Sequence, residues 1–219
     1  MTWTLLRLIL AQISVHACMT GMRMATPLLA LREGYSPAAV GFLLALFALT
    51  QVFLSLPAGR YADRHGLKRP LAISVTVASI GAGAAVMFPI YPVLCFAALC
   101  SGGASGSALI ALQRHVGREA KDQVMLRKMF SWLAIGPAAS NFLGPFLAGL
   151  LIDYAGGEAA SDAGFRAAFL LLALLPLSAW LWVLTLQETK PEPKPAGSKK
   201  STAWDMLQSQ GFRRLLLMN

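Results

Sequence analysis

Gln12, His16, Thr20 and Arg23 follow one another at intervals of four, four and three residues inside an apolar stretch. On an α-helix that spacing places all four on one face. An ionisable side chain inside hydrocarbon is costly and as a rule faces a cavity or a partner, so this stripe is a candidate solute and proton pathway. His16 has the chemistry of a proton carrier because its unperturbed pKa lies near 6.5. A neutral, hydrogen-bonded packing histidine is the competing role. Counted from Leu8 at 1.5 Å per residue, His16 lies about 12 Å and Arg23 about 22 Å along the span. Arg23 either snorkels to the outer surface or faces the cavity, where it would favour an anionic or polyhydroxylated solute.

A second constellation is the short basic stretch Gly59-Arg60-Tyr61-Ala62-Asp63-Arg64-His65-Gly66-Leu67-Lys68-Arg69. It reads as a turn in which Gly59 and Gly66 permit close approach and backbone angles closed to other residues. Asp63 is an anion among Arg60, Arg64, Lys68 and Arg69, and Arg114, at the inner end of span four, is a candidate local partner for it. The competing role is a solvated basic turn that only sets topology. The third constellation is Gly136 with Gly144, Pro145 and Gly149. A proline inside a helix lacks an amide donor and clashes with the preceding turn, so Gly144-Pro145 is expected to kink or loosen its helix, with Gly136-Pro137 a second weak point. A static kink filled by neighbours is the alternative.

The elements that must position these residues are membrane helices. The chain is 56% hydrophobic and 13% charged, with mean hydropathy +0.59, too apolar for an ordinary soluble domain. A helix needs about 20 apolar residues to cross roughly 30 Å of hydrocarbon. That ruler gives six spans, at 8–31, 38–57, 70–89, 92–113, 129–152 and 167–187. Residues 70–113 carry no charge and are too long for one helix; Pro89-Ile90-Tyr91-Pro92 divides them into a hairpin. Arg7 ahead of an apolar stretch and Ala17-Cys18 faintly resemble a signal peptide, but the stretch continues to Leu31 and reads as an uncleaved first span. Glycines are dense in spans three to five, where small residues let helix backbones meet in lipid.

The net charge of +9 is sorted rather than spread. Of the 19 lysines and arginines, 16 fall on one side of a six-span arrangement; Arg32 and Arg166 fall on the other, and Arg23 lies within a span. The positive-inside rule makes the richer side cytoplasmic and places both termini there. A nucleic-acid surface would need a contiguous patch on a soluble fold, so no nucleic-acid partner is expected. Cys18, Cys95 and Cys100 all lie in apolar spans and offer neither a disulfide framework nor metal spacing. No cofactor and no metal are expected. Residues 188–201, with three prolines and four lysines, read as an extended cytoplasmic linker. Residues 202–219 read as a short amphipathic segment lying on the inner membrane surface, with membrane lipids as its partner, then Leu215-Leu216-Leu217-Met218 as the opening of a seventh span.

Taken together these residues resemble the N-terminal half of a major facilitator superfamily transporter. The stretch Gly59-x-Tyr-Ala62-Asp63-Arg64-x-Gly66-x-Lys68-Arg69 is similar to that family's loop signature between spans two and three. Gly136 and Gly144-Pro145-Phe146-Leu147-Ala148-Gly149 look like the glycine-proline signature of its antiporters, with Ser140 and Ala148 where glycine is more usual. The six spans followed by a long basic linker complete the likeness. The resemblance implies one all-α, six-helix bundle of a twelve-helix carrier in a bacterial inner membrane, completed by a C-terminal half. It implies further that Asp63 latches against that other half, that the span-five segment bends to seal the outer cavity, and that the solute is small and its efflux proton-coupled.

One departure bears on this. Exporters of the family often carry an arginine in span four before its glycines, and here Ala98-Leu99-Cys100-Ser101 stands in that region. No Asp or Glu lies in mid-membrane, Asp153 being near the outer end of span five. Proton coupling in this half therefore rests on His16 or comes from the other half. Uptake, facilitated diffusion and an inactive half-carrier remain open. An intramembrane enzyme lacks support, since there is no HExxH pair, no paired membrane aspartates and no nucleophile elbow. A channel would want a filter loop or rings of charge, and neither is present in the sequence.

Overall fold

The computed structural model describes residues 3–155, 157 and 161–184; the expected linker and amphipathic segment lie outside them. All regular structure among the described residues is helical: α1 (Trp3–Arg32), α2 (Pro37–His65), α3 (Lys68–Met87), α4 (Tyr91–Glu119), α5 (Gln123–Leu133), α6 (Ile135–Tyr154), α7 (Asp162–Leu174), a 3₁₀ turn (Leu175–Ser178) and α8 (Ala179–Val183). α5 with α6 forms one crossing and α7 with α8 another. This gives six helical stretches long and apolar enough to traverse a bilayer.

Local chemistry sets where the helices start and stop. Ser36 caps α2 by accepting a hydrogen bond from the Ala39 amide at 3.3 Å, with Pro37 in the first turn. Asp122 caps α5 from Met125 N at 2.7 Å, and Ser161 caps α7 from Gly164 N at 3.1 Å. The Pro89–Pro92 hairpin forms as expected: α3 ends at Met87, Ile90 is extended, and Pro92 sits in the first turn of α4. There the Tyr91 hydroxyl donates to Ala39 O at 2.8 Å and its ring stacks on Tyr35, 4.6 Å between centroids, joining that end of α4 to α2.

The helices outlast the spans expected from hydropathy. α2 continues eight residues past 57, to His65, and α3 begins at Lys68, so the expected eleven-residue turn is helical except for Gly66 and Leu67. α4 runs to Glu119 and α5 begins at Gln123. At the other surface the sixth crossing starts at Asp162, which puts Arg166 in its second turn rather than in a loop. Apolar length records the thickness of hydrocarbon, whereas the i to i−4 backbone hydrogen bonds of a helix can continue past it into the polar zone.

α1 is the axle of the bundle. Of its most apolar stretch, 72% is buried, against 22% for α2 and 28% for the α5–α6 crossing. It packs mainly on α6 and α4, while α4 is gripped by α2 and α3. One apolar core, with Met22, Leu43, Phe165, Phe169 and Leu172, fills one membrane half. A second, with Leu8, Leu67, Leu71, Leu112 and Val183, lies toward the basic turn.

Candidate functional site: a polar seam and a charged inner rim

The polar face of α1 enters the seam between α4 and α6. His16 Nδ1 lies 2.7 Å from Ser105 Oγ on α4. A hydroxyl can give its proton to a bare ring nitrogen and accept from a protonated one, so this pair survives in either charge state of the imidazole. Thr20 is buried and its hydroxyl donates to Ser140 O on α6 at 2.7 Å. Gln12 is buried against Gly136, and neither its amide nitrogen nor its amide oxygen has a hydrogen-bond partner among the described residues. Arg23, one helical turn beyond Thr20, is exposed. The expected stripe therefore shares one seam with different neighbours: Gln12 and Thr20 meet α6, His16 meets α4, and Arg23 projects.

The glycine-proline segment packs α6 closely against α1. Gly136, Ser140, Gly144 and Ala148 recur every fourth residue and are all buried, forming a strip of small residues along α6. A methyl group at Gly144 would strike the Thr20 hydroxyl, the Ala17 carbonyl oxygen and the Gly21 amide. Across the seam, a methyl on Gly21 would meet Leu172 and the Gly144 carbonyl. The two helices thus cross backbone to backbone, the arrangement by which small residues associate helices in lipid. Gly149 is different: a methyl group there would find Met24 Cε as its nearest neighbour, 3.7 Å away. α6 stays helical through Pro145, and the helical pattern breaks at Ala134, ahead of Gly136-Pro137. Pro137 has no amide to offer the Leu133 carbonyl, which accounts for the break at that point.

The basic turn gathers into a rim at one end of the bundle. Asp63 forms an ion pair with Arg114 and a second, at 3.3 Å, with Arg118. Arg118 also donates to Ala62 O at 3.2 Å. The Arg114 guanidinium lies over Gly59, where a Cβ would stand only 2.9 Å from its Nη2. Gly66 ends α2 at φ 76°, ψ −148°, its amide bonded to Ala62 O at 3.1 Å, a backbone region confined to glycine. Lys68 Nζ donates to Leu184 O at 3.3 Å and ties α3 to the end of the sixth crossing. Arg64 and Arg69 are exposed and have no ion pair among the described residues. At the far end of the bundle, Arg32 pairs with Asp162 and lies over the Phe165 ring, 5.6 Å from its centroid.

Two participants were not among the expected residues. Arg118 follows Arg114 by four, the spacing that puts side chains side by side on a helix, so that signal was present in the sequence. Ser105 carried none, because 89 residues separate it from His16.

Comparison with known proteins agrees with this architecture. The family model described as Major Facilitator Superfamily matches residues 8–218. The chain is also similar to the inner membrane transport protein YajR of Escherichia coli (strain K12), 26% identical over 209 residues that cover 92% of this chain and 43% of that protein. The chain therefore spans less than half the length of this relative. Six apolar helices around a buried α1, with the family match over nearly the whole chain, make this an integral membrane protein of the Major Facilitator Superfamily.

Proposed function

We propose that this chain forms the N-terminal bundle of a secondary transporter that moves a small solute by alternating access. The bundle would rock against a C-terminal counterpart around a site near mid-membrane. The observation that carries the reading is the His16–Ser105 pair on the most buried helix of the bundle. It is a titratable group at membrane depth, held by a neighbour that tolerates both of its charge states. Gln12, with an amide unpaired among the described residues, and exposed Arg23 extend that face along the helix. Proton-coupled efflux is the mode these residues support, in an inner membrane with both termini cytoplasmic. In this reading Asp63, braced by Arg114 and Arg118, is the rim that meets the other bundle when the inner gate shuts. The backbone-close crossing of α6 on α1 seals the outer side.

The test is flux of the full-length protein in proteoliposomes against a panel of solutes, with and without a pH gradient. Efflux should rise with an opposing proton gradient, and His16→Ala should uncouple the two. A His16→Ala protein with full pH-dependent transport removes His16 from the coupling. Flux indifferent to the gradient in the unsubstituted protein replaces antiport by facilitated diffusion, and gradient-driven accumulation replaces it by uptake symport.

A further inference from the structure

α2 and α3 both lean on α4 but touch each other little along their length. Between them is a cavity of about 370 Å³, at the low end of the range typical of ligand pockets. Its walls are Leu54, Pro57 and Tyr61 from α2 and Pro70, Ile73 and Val77 from α3; α4 supplies the floor with Leu99, Cys100, Gly103 and Ala104. The lining is apolar with few exceptions. One is Ser74, which is 2% exposed and whose hydroxyl has no hydrogen-bond partner among the described residues. The cavity begins two residues into α3, at Pro70, and reaches Val77. At 1.5 Å per residue it extends about 10 Å into the bilayer from the side of the basic turn.

Both walls end in a cation. Arg64 lies three residues beyond Tyr61, and Arg69 four residues before Ile73, so each sits one turn outward from a lining residue near the same face of its helix. Both are exposed, and neither has an ion pair among the described residues. Asp63, the carboxylate nearest in sequence, is already engaged by Arg114 and Arg118. The rim thus has two guanidinium groups without an ion pair among the described residues, each one turn outward from a greasy slot whose Ser74 hydroxyl has no partner among them.

We propose that this slot holds an acyl chain of an anionic phospholipid from the leaflet beside the basic turn. The phosphate would be gripped by Arg64 and Arg69, and Ser74 would donate to an ester carbonyl below them. The charge complementarity selects a phospholipid over a helix of another protein, which would bring no phosphate to two guanidinium groups. It also selects an anionic over a zwitterionic headgroup, since each juxtamembrane cation adds to the attraction for a net negative lipid.

The experiment is native mass spectrometry of the full-length protein released from detergent after incubation with phosphatidylglycerol, phosphatidylethanolamine or a free fatty acid. Phosphatidylglycerol should be retained preferentially. The double variant Arg64→Gln, Arg69→Gln should weaken its retention on the order of thirtyfold, the equivalent of two surface cations. Ile73→Trp should block the mouth and lower retention of every phospholipid; Ile73 is 51% exposed, so the bundle should fold around it. Ser107→Leu narrows the same cavity from α4 and serves if the tryptophan variant misfolds. A phosphatidylglycerol with a photoreactive acyl chain should label peptides containing residues 70–77 and 99–107. Equal retention of phosphatidylethanolamine overturns the anionic assignment, and equal retention of fatty acid overturns the phospholipid. Undiminished binding in two correctly folded cavity variants overturns the slot, leaving a headgroup on the surface only. Labelling that maps to another helix overturns it equally.

Discussion

The α1–α6 seam and the Asp63 rim hold the same bundle together by opposite means. In the seam, Gly144 and Gly21 bring two backbones together with no side chain between them, and Thr20 adds a hydrogen bond to Ser140 O. Order there is steric: there is one way to pack it and no room for a methyl group. At the rim, Asp63 and Arg114 are each about two-fifths exposed and Arg118 a little less. Order there is electrostatic, shared among three groups and screened by water and salt. The seam should therefore fail through stability when altered, and the rim through function. That contrast suits a carrier in which one contact has to stay closed while another has to open.

The largest expected effect is at the seam. Gly144→Leu puts a branched side chain where Thr20, Ala17 and Gly21 already touch. Overpacking of this kind costs about 1–3 kcal/mol in a core that can adjust, and two crossing backbones adjust poorly. The full-length variant should lose its sharp size-exclusion peak in mild detergent, or unfold well below the parent in a thermal scan. A variant as stable as the parent would mean that α1 and α6 are not in backbone contact.

Gly66→Ala comes next and marks the border between the two regions. The φ of 76° with ψ of −148° lies in a region where a side chain costs about 1–3 kcal/mol. That strain falls on the two-residue link between α2 and α3, so stability should drop by less than in Gly144→Leu and the rim geometry should shift. If Gly66→Ala matches the parent in both thermal stability and transport, the link does not hold this conformation in the membrane.

How much of this could be read from the sequence divides along the same line. Six spans were legible because hydrocarbon thickness imposes a length on apolar runs. The ends were not, since Ala58–His65 and Arg114–Glu119 stay helical in the polar zone, where hydropathy is silent. Asp63 and Arg114 were legible as a pair because Asp63 is the one carboxylate in the basic stretch 59–69 and Arg114 is the first charge after the uncharged residues 70–113. Gly136-Pro137 was legible as a weak point, and the helical pattern breaks just before it at Ala134, while the backbone stays helical through Pro145. The strip Gly136–Ser140–Gly144–Ala148 was present as a spacing of four. Its partner on α1 was not, because Gly21 and Gly144 are 123 residues apart in the chain and meet only on folding.

At the rim itself, Asp63→Asn should separate function from stability. The pairs it removes are exposed enough to be worth about 0.2–1 kcal/mol together with their screening, so insertion and thermal stability should stay close to the parent. Transport by the full-length protein should fall severalfold if Asp63 helps to shut the inner gate. Flux equal to the parent in a normally inserted protein defeats the latch and leaves the charges a role in topology alone. Raising salt should reproduce part of the loss in the parent and little in the variant, since the interaction being screened is already gone.

The smallest effect sharpens the comparison most. Gly149 belongs to the same glycine-proline segment as Gly144, and its place in the sequence makes it part of the same device. Yet among the described residues a methyl group there would meet only Met24 Cε, at 3.7 Å, an ordinary van der Waals distance. Gly149→Ala should therefore leave stability within about 0.5 kcal/mol, or raise it slightly, because alanine is the better helix former by about 1 kcal/mol. Transport is the discriminating readout. If α6 works as a fixed strut, Gly149→Ala transports as the parent does. If the segment has to bend during the cycle, stiffening its outer end slows flux while leaving the resting fold untouched. Gly144 alone cannot decide this, because any change there disturbs packing and motion together; Gly149 can, because only motion is left to disturb.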